Sequence, residues 1–567
     1  MIVGIDLGTT NSAIACWQDG EAKLIPNAQG HVLTPSAVSL DENGAMLVGL
    51  AARERQSTHP DQTATLFKRY MGTGRKVQLG RKQYRPEELS SMVIASLKRD
   101  AEAYLGEEVT SVIITVPAYF NDKQRRATRM AGELAGLKVE RLINEPTAAA
   151  LSFGIHERDL EEPFLVFDLG GGTFDVSLVE MFEGIIEVRA SAGDNQLGGE
   201  DFNTAIVNLA KERLELGEVP DGSAEALAQL LRESAERARR ALTTAKEATF
   251  RVVWQDKEYT TEITEEDFAE AAEPLIQRLR EPVLRSLRDS SLRAADLAEI
   301  VLVGGSTRMP LVRKAVTKMF GRFPNATVDP DHAVALGAAV QAGLFTRNSE
   351  LDEVRLTDVC PFSLGIEVSE FDQRNRVRTG IFSPIIERNT VIPASRVETY
   401  YNMQDNQDNV RLEIYQGEAR DVADNVHLGT LEVPIPRGKA GEIGFDCRFT
   451  YDTSGLLEVD VTVPGTEIKR NTLIYDRDDS DLITNLESRR KELAKLKVHP
   501  RDQAANAAAV ARAKRCYEGQ LGNMRDYVSL IIGQFENALA TQDERIIDAA
   551  REELLKQLDQ IEGETYL

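Results

Sequence analysis

The chain has 567 residues, too many for one core, so two to four domains are expected. Hydrophobic residues make up 42% and charged residues 28%, an ordinary soluble globular composition. Lys and Arg number 67 against 91 Asp and Glu, a formal net charge of −24, which argues against nucleic acid or an anionic membrane as a partner. The four cysteines, Cys16, Cys360, Cys447 and Cys516, are too far apart in sequence to read as a metal clip or redox pair, so a reducing compartment is expected. The N-terminus opens directly on the strand-like run Ile2-Val3-Gly4-Ile5, without a basic and apolar leader. No stretch is long enough to cross a bilayer, and the reading is a cytoplasmic protein.

Residues 2–14, IVGIDLGTTNSAI, give an apolar strand, Asp-Leu-Gly, a turn of small and hydroxyl residues, and a second apolar stretch. Residues 164–179, FLVFDLGGGTFDVSLV, repeat that pattern. Each fits a β-hairpin whose turn offers backbone N–H groups to an anion. A lone Gly-Gly-Gly is usually a plain turn. Two copies in one context imply two related lobes facing one phosphate chain. Gly8, Thr9 and Thr10 belong to the first turn, and Gly170, Gly171, Gly172 and Thr173 to the second. Neither is a Walker A loop. Asp6 and Asp168 occupy matching positions where strand meets turn, and two such anions repel unless a cation lies between them. A hydrated Mg²⁺, which keeps several waters, suits the pair.

Between the copies, residues 109–120 read as a buried strand, 121–137 as a helix and 138–146 as another strand, the βαβ alternation of an α/β architecture. Residues 224–248 are helical, and Glu236, Arg239 and Thr243 share one face. Taken alone, that spacing favours an intrahelical salt bridge. IVLVGGSTRMP at 300–310 is a strand ending in Gly304 and Gly305, with Arg308 beyond, and suits backbone passing a base or ribose. Residues 333–345 are helical and small on one face, which permits close packing.

After residue 349 the pattern changes. Residues 359–476 alternate apolar and polar positions, as with Val410, Leu412 and Ile414 on one face, and read as an antiparallel β domain. From about 480 the chain is helical. Tyr527, Ile531, Phe535 and Leu539 form one apolar stripe, and Ile546, Ala550, Leu554, Leu558 and Ile561 another, read as ordinary helix packing.

The motifs IDLGTTNS, TVPAYFND, INEPTAAAL, FDLGGGTFDVS, GDNQLGGEDFN and VLVGGSTRMP resemble those of the DnaK-type heat-shock chaperones, in that family's order and spacing across residues 1–345. The resemblance continues more weakly through DNQDNVRLEIYQGE and becomes faint in the helical tail. It implies an α/β actin-like two-lobed ATPase domain (1–349), a linker (350–358), a β-sandwich peptide-binding domain (359–476) and an α-helical lid (477–567). The activity implied is hydrolysis of ATP to ADP and phosphate, coupled to binding and release of extended apolar segments of unfolded polypeptides. The implied cofactors are ATP/ADP and Mg²⁺.

By motif match, Thr9, Thr10 and Asn11 with Gly8 hold phosphates opposite Gly170 to Thr173, and Gly198 and Gly199 join the nucleotide-binding set. Asp6 and Asp168 surround Mg²⁺ through its waters. Lys68 corresponds to the family's catalytic lysine, Glu145 and Asp175 position the attacking water and the metal, and Asp168 and Thr173 complete the catalytic set. Glu236, Arg239, Thr243, Gly304, Gly305, Ser306, Arg308 and Asp331 enclose adenosine. In the β domain, Ser369 and Met403 match an arch over the peptide and Val410 its central pocket, with Thr399, Tyr400 and Tyr401 on the same strand region. For Val410 alone, sandwich core is the plainer reading. Tyr119, Asn121, Asp122 and Arg141 match the face on which a J-domain co-chaperone acts.

Three departures stand out. The linker reads EVRLTDV at 353–359, with Arg355 and Thr357 where the family has apolar residues. Burying an aliphatic side chain contributes roughly 1.5–3 kcal/mol, so weaker or differently tuned coupling is expected. The segment FRVVWQDKEYTTEITEEDF is short, which puts dependence on the usual bacterial exchange factor in question, and the chain ends in GETYL. Together these imply a specialised, HscC-like bacterial branch with few clients. The alternative is a small-molecule (sugar-type) kinase of the actin-like superfamily, which leaves the β domain and lid without a role. A nucleotide-dependent filament protein is a third reading, and the C-terminal appendages would obstruct polymerisation.

Overall fold

A computed structural model describes residues 1–156, 162–182, 185–214, 224–255, 257–325, 327–346, 355–371, 377–452, 455–474, 504–520 and 522–564. The chain forms two compact units, Met1–Phe362 and Ser363–Leu567.

In the first unit, strands β1 (Ile2–Asp6), β2 (Asn11–Gln18) and β3 (Glu21–Leu24) run as an antiparallel meander. Strands β4 (Ser111–Val116) and β5 (Lys138–Asn144) join β1 in parallel, giving the order β5-β4-β1-β2-β3. Helix α1 (Asp122–Leu134) connects β4 to β5, and α2 (Glu145–His156) follows β5. Asn121 caps α1: its side chain accepts from the Gln124 N–H, while the Gln124 side chain accepts from the Asn121 N–H.

A second sheet repeats this plan. Strands β6 (Phe164–Leu169), β7 (Phe174–Phe182) and β8 (Ile185–Asp194) form the matching meander. Helices α3 (Gly199–Arg213) and α4 (Ala224–Ala241) follow, then the hairpin β9 (Glu247–Trp254) and β10 (Lys257–Thr264), then α5 (Glu265–Ser290). Strand β11 (Glu299–Val303) lies parallel to β6, as β4 does to β1. Each sheet with its helices is a lobe. Asp6 pairs across its meander with Ala13, and Asp168 with Asp175, so both aspartates sit at the same structural place. The duplication read from the two Asp-Leu-Gly turns is therefore a duplication of topology.

Parallel strands covered on both faces need continuous apolar runs. β6 is buried at all six positions, and β4 at five of its six. Helices α6 (Pro310–Phe320) and α7 (Ala333–Phe345) complete this part of the unit. α7 is apolar all round and buried over most of its length, as such a helix must be. Its small face works as expected: a Cβ at Gly337 would stand 1.6 Å from the Ala148 carbonyl oxygen of α2.

The last strand of the unit, β12 (Arg355–Val359), pairs in parallel with β8, with Arg355 opposite Ile185 and Thr357 opposite Glu187. Residues 347–354 lie outside the described residues, so the expected linker is seen only from Arg355 onward. Arg355 and Thr357 do not prevent strand formation. The Thr357 hydroxyl lies 3.5 Å from the Ile186 carbonyl oxygen that it bonds.

The second unit contains two four-stranded antiparallel sheets. Strands β13 (Leu364–Phe371), β14 (Val377–Ile386), β15 (Ala394–Tyr401), β16 (Asn409–Gln416), β17 (Val426–Pro434), β18 (Gly444–Tyr451), β19 (Leu457–Thr462) and β20 (Lys469–Ile474) give the orders β14-β13-β16-β17 and β15-β18-β19-β20. Helices α8 (Ala504–Gly519), α9 (Gly522–Thr541) and α10 (Glu544–Glu564) share one apolar core. Ile531, Phe535, Leu539, Leu554, Leu558 and Ile561 are in it, as their stripes predict. Tyr527 and Ile546 are not: they are half-exposed, and the neighbouring Val528 and Ile547 take the buried positions. A four-residue stripe drifts about 40° per step around a 3.6-residue helix, so its first member falls off the contact face. The lid residues 477–503 lie outside the described residues.

The contact between α2 and α7 predicts that Gly337→Val destabilises the first unit by at least about 1–3 kcal/mol, the usual cost of overpacking. Equilibrium denaturation checks this. An unchanged midpoint contradicts the close approach.

Candidate functional site

A cleft of about 530 Å³ lies between the two lobes. Asp6, Gly8, Thr9, Thr10 and Asn11 line it from the first lobe, with Lys68 and Glu145. Asp168, Gly170, Gly171 and Thr173 line it from the second. Thr10 Oγ1 stands 2.0 Å from where a Cβ on Gly171 would lie, so the two turns meet face to face. Hydroxyls brace the first turn: Gly8 N–H donates to Ser12 Oγ at 3.1 Å, and Ser36 Oγ donates to the Gly8 carbonyl at 2.7 Å. Neither serine stood out in the sequence, because both act through the backbone.

The remaining nucleotide candidates divide. Glu236, Arg239, Thr243, Gly304, Gly305, Ser306, Arg308 and Asp331 also line the cleft. The helical face of Glu236 and Arg239 is not an internal salt bridge between those two. Glu236 pairs with Arg240 at 2.6 Å, while Arg239 Nε donates to Asn203 at 2.7 Å. Arg308 is fixed by Asp331 and Asp329, each within 2.9 Å. Ser306 Oγ donates to the Gly170 carbonyl at 2.9 Å, tying the third glycine turn to the second. Gly198 and Gly199 are placed behind the second turn and not on the cleft wall: Gly199 N–H donates to the Gly170 carbonyl and Glu200 N–H to that of Gly171. They buttress the turn. Gly172 and Asp175 likewise lie behind the wall.

At the floor, Lys68 Nζ and Glu145 Oε1 are 2.6 Å apart, both buried, with the ammonium 5.7 Å from the Phe120 ring centre. Asp6 accepts from Thr115 Oγ1 at 2.9 Å, and Asp175 from the Tyr119 N–H at 3.1 Å. Burial first, and the nearby Glu145 carboxylate second, push the Asp6 carboxyl up to about 7 and that of Asp175 up to about 8. The same two causes, with Asp175 and Asp6 adding to them, push Asp168 well above the ordinary carboxylate range. Lys68 opposes the rise at all three. Four carboxyl groups against one ammonium is a site built for additional positive charge. Among the described residues, no three His, Cys, Asp or Glu side chains converge closely enough to chelate a bare ion. The donor set fits a cation that keeps its waters.

Glu145 is preceded by Asn144, whose amide donates to both Asp358 carboxylate oxygens of β12, at 3.1 and 2.9 Å. Asn144 Oδ1 accepts from Arg125 Nη2 at 2.6 Å, and Arg125 also holds the Ala118 and Phe120 carbonyls. Asp358 is buried, which pushes its carboxyl up. Two consecutive residues therefore carry the hydrogen bond to β12 and the pair with Lys68. Only tertiary proximity reveals this, since Asn144 and Asp358 are 214 residues apart.

The expected partner-face residues are all engaged within the chain. The Tyr119 ring packs 4.4 Å from that of Phe362 and its hydroxyl bonds Arg285. Asn121 caps α1, Asp122 pairs with Arg126, and Arg141 reaches Gln341 at 3.5 Å. In the second unit, Ser369 sits at a register irregularity near the end of β13, and Val410 near the start of β16, its antiparallel neighbour. Tyr400 Oη and Ser383 Oγ are 3.0 Å apart, and the Met403 N–H donates to Gln407 just beyond β15. The Thr399 hydroxyl donates to Asp446, and Tyr401 is exposed.

A family model described as Hsp70 protein matches residues 2–78 and 73–566, nearly the whole chain, and the chain belongs to the Hsp70 family. Members of that family are ATP-dependent chaperones, ATPases that bind ATP and ADP with magnesium and act on unfolded polypeptides with co-chaperones. The family implies an actin-like ATPase followed by a β-sandwich and a helical lid, and the sheets and helices above are consistent with it. Among the described residues, no helix is long and apolar enough to cross a membrane.

A carboxyl whose folded value is raised above the unfolded one binds more protons in the folded state, so its contribution to stability falls as pH rises through that interval. For Asp6 the interval runs from the ordinary carboxylate range to about 7. In metal-free, nucleotide-free protein, Asp6→Asn should stabilise by more than about 1 kcal/mol at pH 8 and by clearly less at pH 4, where Asp6 keeps its proton in the folded chain and much of it in the unfolded one. Melting curves at the two pH values test this. A stabilisation equal at both refutes it.

Proposed function

We propose that this chain hydrolyses ATP in the interlobe cleft and uses the nucleotide state to control its hold on extended apolar segments of unfolded polypeptides. The observation that carries this reading is the bonded path from the Lys68–Glu145 pair through Asn144 to Asp358, on the strand that leads into the second unit.

In this reading the phosphates lie between the two Asp-Leu-Gly turns, held by Thr9, Thr10, Asn11 and the Gly170–Thr173 backbone. Asp6 and Asp168 would hold a hydrated Mg²⁺, which supplies charge neutralisation on the phosphate oxygens when bound. Lys68 offsets the γ-phosphate charge. Glu145 and Asp175 orient a water whose oxygen bonds the γ-phosphorus as the bond to the bridging oxygen breaks. That oxygen leaves with ADP, and the water's proton passes to a carboxylate of the site and on to solvent. A loose transition state of this kind needs positioning and compensating charge, not a strong nucleophile. Adenosine is enclosed by Glu236, Arg239, Thr243, Gly305, Ser306, Arg308 and Asp331.

Ser369, Tyr400, Met403 and Val410 form the peptide site, where backbone pairing and an apolar pocket give broad specificity. A J-domain co-chaperone acts on the face of Tyr119, Asn121, Asp122 and Arg141, with an exchange factor as a further partner. The working compartment is the bacterial cytoplasm. The family match offers no support for the sugar-kinase alternative.

Two measurements test the reading. Steady-state ATP hydrolysis, assayed with an unfolded polypeptide, a short apolar peptide and a sugar panel, should rise with peptide; phosphate appearing on a sugar would end the proposal. Lys68→Ala should lower turnover at least 100-fold while nucleotide affinity stays within tenfold; surviving turnover removes Lys68 from the catalytic set. Separately, Asp358→Ala leaves Asn144 without its acceptor. It should abolish most of the peptide stimulation, and full stimulation in that variant would disconnect β12 from the site.

A further inference from the structure

We infer that the ion pair between Arg69 and Asp201, behind the two phosphate turns, is a latch between the lobes that sets how long nucleotide is retained. The inference rests on the ATPase reading above. Arg69 directly follows Lys68 in the short 3₁₀ turn Phe67–Tyr70 of the first lobe. The turn is entered through Leu66 at φ +58°, a backbone conformation that a leucine adopts only when its surroundings impose it. Asp201 lies in the first turn of α3 in the second lobe. Arg69 Nη2 donates to Asp201 Oδ2 at 2.5 Å, and the same oxygen accepts the Gly198 N–H at 2.8 Å. The pair thus joins the Lys68 turn to the loop that buttresses Gly170 and Gly171.

The rest of the guanidinium is wedged in place. Arg69 Nε stands 2.8 Å from where a Cβ on Gly172 would be, and the Thr9 methyl 2.7 Å from the same point. Nε is buried with no hydrogen-bond partner among the described residues. A donor left unpaired in this way is unfavourable, so the other bonds of Arg69 must hold it there. Neither Arg69 nor Asp201 lines the cleft, so Arg69 acts through the turns as a positioning residue. Its side chain is 13% exposed and that of Asp201 23%, too buried for salt to screen the pair as it would a surface pair. Phosphates held between the two turns can leave only if the turns separate. Separation pulls the Lys68 turn from the Gly198 loop, so the ion pair has to break first.

The test follows release of a fluorescent ADP analogue from the full-length chain, chased with unlabelled ATP, in wild type, Arg69→Gln, Asp201→Asn and the double variant. Asp201→Asn keeps a side-chain oxygen to accept the Gly198 N–H, so it guards against a result caused by a lost helix cap. Each single variant should release ADP at least tenfold faster. The double variant should be no more than twofold faster than either, because the pair acts as one unit. Single-turnover hydrolysis of bound ATP should stay within threefold of wild type. Release within twofold of wild type in the single variants overturns the latch, as does additivity in the double variant, or a fall in hydrolysis as large as the gain in release. If wild type itself neither binds nor hydrolyses ATP, the ATPase reading fails and not the latch.

Discussion

The arrangement of the first unit depends on burying an excess of negative charge. Asp6, Asp168 and Glu145 line the cleft and Asp175 lies just behind its wall, with one ammonium, Lys68, among them. Desolvation alone would drive such a cluster to take up protons, and the raised values of Asp6 and Asp175 show that tendency. A bound cation, as the ATPase reading proposes, would offset that cost. Hydroxyls from Ser12 and Ser36 stiffen the first turn, and Arg308 and Arg239 are held by their own partners near the wall.

Duplication explains how this concentration of acid arises. Each lobe contributes one Asp at the mouth of the same hairpin, in sheets that share a four-stranded order, β4-β1-β2-β3 in one and β11-β6-β7-β8 in the other. Two equivalent strand ends brought together bring two equivalent carboxylates together. The second lobe adds Asp175 directly across from Asp168, where the first has Ala13. The lobes are therefore related but not interchangeable, and the asymmetry sits at the position proposed to orient water.

Much of this was legible in the sequence because it is local. The paired Asp-Leu-Gly turns, the βαβ run from 109 to 146 and the alternation in residues 410–414 and 457–463 are short-range patterns, and each gives the element it describes. The small face of α7 was also readable, because a helix so rich in Ala and Gly has few uses other than close approach. What was not legible depends on residues brought together from far apart. Asn144 with Asp358, Arg69 with Asp201, and Arg239 with Asn203 are each ordinary polar residues until the fold pairs them. Tyr527 and Ile546 failed for a different reason: periodicity fixes the pitch of a stripe but not where contact begins, and one residue of phase moved both to the surface.

The pairing of β12 with β8 has a consequence for the chain's solubility. A parallel partner laid along β8 covers backbone N–H and C=O groups that would otherwise form an open sheet edge, and open edges recruit other chains. Were residues 355–359 to leave, two adhesive surfaces would be created at once, the bared strand and the freed segment. A run of leucines there would be a ready nucleus for aggregation in a protein whose surroundings are rich in unfolded polypeptide. The sequence RLTDV interrupts it with Arg355, Thr357 and Asp358, and the facing strand carries Glu187 and Arg189. The polar residues that look like a weakened contact would then act as gatekeepers, guarding the chain against itself were that strand undone.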